Sequence, residues 1–152
     1  MIDIIIPDEY HNHISPRLLE ITVSAVLSHL HLPETSDITV LIGDDITIQQ
    51  LNFQYLGIDA PTDVLSFPSN ETDPDTGNQH LGDIIISFPR ALEQAQQSAH
   101  PVESELQLLL VHGTLHLLGF DHSVSEEKER MWSIQAAILN QLGVMVKRIS
   151  DE

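Results

Sequence analysis

The sequence predicts an α+β fold: one domain over residues 1–152, in which helices pack on a small, mainly four-stranded sheet. Three observations predict it. Short β-branched runs closed by proline or glycine alternate with longer segments of helical periodicity. A chain of 152 residues suits a single sizeable core. Neither an internal repeat nor an interdomain linker divides it.

The elements follow in order. Ile2 to Ile6 is an apolar, β-branched run ended by Pro7, and reads as a buried strand. Ser15-Pro16 supplies an N-cap and a proline at the first helical position. Leu18, Leu19, Val23, Val26, Leu27 and Leu30 then recur at helical spacing, so a helix covers 16–31. Ile38 to Ile42 is a second strand, closed by Gly43. Asp44 or Asp45 caps a short helix with Ile48, Leu51 and Tyr55 on one side. After the loop Gly57–Thr62, Asp63 to Phe67 is a third strand, stopped by Pro68. Residues 69–80 hold almost nothing apolar and read as an exposed hairpin connection. Leu81 to Phe88 is the fourth strand, and Pro89 opens another helix. A long helix runs from His100-Pro101 to Gly119. The last begins at Ser123, with Glu126 completing a capping box, and carries Met131, Ile134, Ile138 and Leu142 to Gly143.

Composition bounds the function. There is no cysteine, which excludes disulfides, thiolate metal sites and thiol nucleophiles. No run of about eighteen apolar residues is present, so no membrane span is expected, and the N-terminus lacks a basic signal region. A soluble, cytoplasmic protein is the expectation. Six basic residues stand against 23 acidic ones, a net charge of -17, which repels polyanions at long range. The charge run Glu126–Arg130 reads as the solvated face of the last helix.

One segment carries chemistry. In Val111–His122, His112 and His116 stand four apart on the expected helix, so both rings leave one face a turn apart. Gly119 can end that helix in a left-handed conformation, and His122 can return as a third ligand. Three imidazoles suit one zinc ion, although nickel, copper or iron also bind such a set. They leave one coordination position open, as in catalytic sites. A pair of core histidines beside a surface one is the bland alternative; the added third histidine and glycine weigh against it. Asp121 either orients a ligand ring or supports the turn. His11, His13, His29 and His31 read as surface or helix-end residues.

The spacing resembles that of metzincin peptidases, with one departure. Their signature places a glutamate general base directly after the first histidine, and here that position is Gly113.

With that glycine, the string HGTLHLLGFDH resembles the zinc motif HGxLHLxGxDH of the YbeY-type rRNA maturation factors. Thr62–Pro68 resembles the family's TDVLSFP segment, and Leu81–Ile84 its LGDI strand, in the family's order. The resemblance implies a single α+β domain with one zinc per chain, held by His112, His116 and His122. It implies a zinc-dependent, single-strand-specific endoribonuclease acting in 16S rRNA maturation and ribosome quality control. Its partners would be single-stranded or ribosomal RNA and the small ribosomal subunit or assembly factors, with neither DNA nor a membrane involved. The Thr62–Pro68 strand, with Ser66, and the loop before it would line the cleft. Asp63 and Asp83 lie in the matching motifs, where each either orders the cleft or caps a strand.

One position departs from the family pattern. Many members have arginine where this chain reads Leu56, which cannot meet a phosphate; Arg90 is a candidate substitute. Two rival readings are a non-enzymatic ribosome-assembly factor with a structural metal, and a metal hydrolase with a non-RNA substrate. No general base or attacking nucleophile is visible.

Overall fold

β-Branched alternation sets the sheet, and capped amphipathic runs set the helices. The structure, a computed structural model, describes residues 1–33, 35–120 and 124–144. Strand β1 (Ile2–Ile5) leads through a short 3-10 turn to helix α1 (Pro16–His29), followed by strand β2 (Ser36–Gly43) and helix α2 (Asp45–Leu56). Strands β3 (Val64–Thr72) and β4 (Gln79–Ser87) form a hairpin. Helices α3 (Phe88–Ser98), α4 (Val102–Leu117) and α5 (Ser125–Gln141) complete the chain. The sheet order is β1-β2-β4-β3, parallel except for the antiparallel edge strand β3. The expected α+β class and four-stranded sheet are therefore present.

The caps act as their residue types dictate. Ser15 Oγ accepts from Leu18 N at 3.3 Å, and Asp44 Oδ1 accepts from Thr47 N at 2.7 Å. The bonds from Thr47 hold the Asp44 carboxyl below its usual value. Helix α1 ends at His29, two residues before the expected stop. His31 takes a left-handed φ of 58°, and Leu32 N reaches back to Leu27 O at 2.9 Å. A histidine in the place where glycine is usual carries no stop signal in its residue type.

Other boundaries differ as well: β2 begins at Ser36 rather than Ile38, and β4 runs Gln79–Ser87 rather than Leu81–Phe88. Pro68 does not stop the third strand, which runs on to Thr72 with a register shift between Pro68 and Glu71. Its missing N–H is tolerated because β3 is the sheet edge. Helix α5 has Val124 as N-cap with no side-chain bond, and the expected cap Ser123 lies outside the described residues.

Helix α4 is the centre of the molecule. Leu106, Leu109, Leu110 and Leu117 pack with α1 against Ile38, Val40, Ile42, Ile84 and Ile86 of the sheet. Leu108, Val111 and Leu115 meet Val26 of α1 and Met131, Ile138 and Leu139 of α5. A helix apolar on all sides must be enclosed, and α4 is. On the opposite sheet face α2 packs Ile48 against Leu65 and Ile85.

Two glycines let the layers meet. Gly113 of α4 lies so near the sheet that a Cβ there would stand 3.0 Å from Val64 Cγ2 and 3.2 Å from Ile84 Cγ2. Gly82 has φ +148°, and a Cβ would run into the Phe67 carbonyl oxygen and approach Leu117 Cδ1 to 2.5 Å. Because backbone must move to relieve that contact, Gly82→Ala is expected to lower unfolding free energy by about 2–4 kcal/mol. Urea denaturation checks this; an unchanged midpoint would contradict the tight strand-to-strand approach.

Candidate functional site

Five consecutive residues of edge strand β3 and its approach face two turns of α4. Thr62, Asp63, Val64, Leu65 and Ser66 line one wall of a cleft of about 390 Å³, and His112, Gly113 and His116 line the other. Of the expected wall, Thr62 to Ser66 face this cleft, while Phe67, Pro68 and residues 57–61 of the loop do not line it.

The helical spacing brings His112 and His116 together. Their Nε2 atoms stand 3.0 Å apart, with the rings edge to face. His112 is 2% exposed, and its Nδ1 lies 3.1 Å from Gln135 Oε1 on α5. An amide oxygen accepts, so Nδ1 carries the proton and Nε2 is left with a lone pair aimed at His116. Two nitrogens bound at about 2.0 Å to one tetrahedral ion lie about 3.3 Å apart. The donor chemistry, the fixed tautomer and the spacing of the pair therefore fit one metal ion. His122 and Asp121 lie outside the described residues. Among the described residues, no group of three histidine, cysteine or acidic side chains converges on one point.

The strand wall is held in place by buried polar contacts. Ser66 Oγ donates to the Gly113 carbonyl oxygen at 2.8 Å, tying β3 to α4 between the two histidines. Asp63 is 3% exposed. Its Oδ1 accepts from Val64 N at 2.8 Å and Thr62 Oγ1 at 3.4 Å, and its Oδ2 accepts from Gln94 Nε2 on α3 at 3.3 Å. Its carbonyl oxygen takes Ser87 N at 2.9 Å. Asp63 thus orders the start of the cleft strand, as one of its two sequence readings expects.

Asp83 sits elsewhere. Gly82 and Ile84 point toward α4, so strand alternation turns Asp83 to the opposite sheet face, where it is exposed and bonds His80 Nε2 at 3.0 Å. It does not line the cleft. Arg90 does not either: its Nε lies 3.5 Å from Asp45 Oδ1, across the starts of α3 and α2. Leu56 is 54% exposed at the end of α2 and is not among the residues that line the cleft.

Sequence reasoning missed Gln135. The signal was present: a glutamine four residues after Met131 and three before Ile138, on the stripe of α5 that meets α4. It was passed over for Ile134, which is only partly buried.

Comparison with known proteins adds an independent finding. A family model described as Endoribonuclease YbeY matches residues 8–143. Curated relatives bearing that name include one from Persephonella marina, 41% identical over 130 residues, covering 85% of this chain and 84% of the relative. Another, from Roseiflexus, is 39% identical over 149 residues, covering 94% and 93%. The solution structure of a Thermotoga maritima protein superposes with a TM-score of 0.57 at 26% identity, covering 93% of this chain and 91% of that one.

The network around Asp63 leads to a measurable expectation. Asp63→Ala leaves buried donors unpaired and is expected to cost roughly 1–3 kcal/mol of stability. Thermal and urea unfolding check it; a change within measurement error would show the carboxylate to be dispensable to the strand.

Proposed function

This chain belongs to the Endoribonuclease YbeY family, and we propose that it is a zinc-dependent endoribonuclease cutting single-stranded RNA. The observation that carries the reading is the histidine pair, with Nε2 atoms 3.0 Å apart, facing an edge strand across an open cleft. The proposal extends to a cytoplasmic role in 16S rRNA maturation and ribosome quality control, with the small ribosomal subunit or its assembly factors as partners. No helix among the described residues is long and apolar enough to cross a membrane.

His112 and His116 would hold the zinc ion, with His122 as the third ligand and Asp121 at hand to orient it. A zinc ion bound there supplies Lewis-acid polarisation of a phosphoryl oxygen and acidification of water near neutral pH.

The chain's own residues do the rest by positioning. Gln135 fixes which nitrogen of His112 faces the cleft. Ser66 holds the strand wall against the turn of α4 that carries both ligands. Among the described residues strand β3 pairs only with β4, so its outer row of backbone groups is available to hydrogen-bond an extended RNA strand laid in the cleft. Asp63, the one carboxylate among the described residues lining the cleft, has both oxygens engaged and acts as a strut rather than a base.

Two measurements test the reading. The purified protein should cleave labelled single-stranded RNA, and His116→Ala should lose cleavage and zinc together. Equal cleavage by both would identify a contaminant, and no cleavage by zinc-loaded wild type would favour an assembly factor with a structural ion. Gln135→Leu should weaken zinc binding about 10- to 100-fold in a chelator competition. An unchanged affinity would remove Gln135 from the site.

A further inference from the structure

A polyanion bound by a chain of net charge -17 needs local cations, and the chain has six. Four are among the described residues: Arg17 at the start of α1, Arg90 beside Asp45, and Lys128 and Arg130 near the start of α5. Glu126, Glu127 and Glu129 flank the last two. Yet neither Lys128 nor Arg130 has an ion pair among the described residues. Each instead lies over an aromatic ring, Lys128 Nζ 4.6 Å from the centre of Trp132 and Arg130 Cζ 5.4 Å from that of Phe120. A guanidinium resting on a ring keeps its N–H fork for another acceptor, and phosphate fits that fork.

Arg130 also lines a cavity of about 200 Å³, together with Leu118, Gly119, Phe120 and Glu127. The cavity lies at the C-terminal end of the histidine helix. Gly119 N donates to His116 O at 3.0 Å, so the wall begins where the histidine helix ends. Arg130 precedes Gln135, the partner of His112, by five positions on α5. That is about 7.5 Å along the helix axis at 1.5 Å per residue.

We propose that this cavity is a nucleotide subsite holding single-stranded RNA beside the histidine pair. Arg130 takes a backbone phosphate, the exposed part of Phe120, partly buried against the core with Arg130 over its ring, offers apolar contact to a base, and the Glu127 carboxylate accepts from a ribose hydroxyl or a base amino group. Glu127 opposes a bare phosphate, which is why the chemistry fits a whole nucleotide better than an inorganic anion. This rests on the ribonuclease reading and adds the residues by which that site grips its substrate.

The test is fluorescence anisotropy of a labelled single-stranded oligouridylate over a salt series, with RNA integrity checked by gel and cleavage assayed in parallel. Arg130→Gln should weaken binding and flatten the slope of log affinity against log salt by about 0.7, the share of one single-strand phosphate. Arg130→Lys should keep that slope. Phe120→Leu should weaken binding about 5- to 100-fold with the slope unchanged. Arg17→Gln removes the same formal charge and should change neither. Equal slopes for the Arg17 and Arg130 variants would overturn the subsite, as would wild-type binding by Phe120→Leu. If wild type still cleaves RNA in those cases, the nuclease reading stands without it; a wild type that neither binds nor cleaves ends both. Should Phe120→Leu not fold, as judged by circular dichroism, the Arg130 slope decides alone.

Discussion

The close approach of α4 to the sheet at Gly113 is the constraint on which the site depends. Without a Cβ there, the helix settles onto Val64 and Ile84, and Ser66 can reach the Gly113 carbonyl. His112 and His116 are thereby set directly beside the edge strand, and the space between becomes the cleft. The same contact explains why this chain cannot carry the peptidase base. A glutamate at position 113 would drive its side chain into the strand, so the packing that forms the cleft also removes that route to proton transfer. Burial on every side makes the arrangement stiff: α4 is gripped by the sheet, α1 and α5 together.

What was legible in the sequence was what a single element encodes. The four-residue spacing of the histidines, the proline and glycine stops and the alternating strands all act within one helix or strand, so periodicity alone exposes them. What was not legible depends on two elements meeting. Asp83 belongs to a recognisable motif, but which sheet face it takes is settled by which neighbouring residues α4 covers. Gln135 is one polar side chain on a helix whose contact stripe can be drawn through 134 or 135, and only the docking of α5 on α4 chooses. Pro68 reads as a stop until the strand is known to lie at the edge.

Charge follows the same division. The formal total of -17 speaks against a polyanionic substrate, but a total has no address. Arg90 reaches Asp45 and serves the helix starts, while Arg130 rests on Phe120 near the end of the histidine helix. Screening confines each charge to about 8–10 Å at ordinary salt, so the groups near a site, Glu127 as well as Arg130, set its local field more than the total does.

The cleft is accordingly a site of positioning. Its walls come from β3 and α4, its struts from α3 through Gln94 and from α5 through Gln135, and none of these contacts leaves a side chain free to move a proton. A fold that commits its buried polar groups to holding two imidazoles 3.0 Å apart has little tolerance for misplacement, since an error of about 1 Å can cost two orders of magnitude in rate. That explains a pattern otherwise odd in a single domain. Two polar groups buried beside the cleft serve geometry: Asp63 orders the strand wall and Gln135 holds the ring of His112.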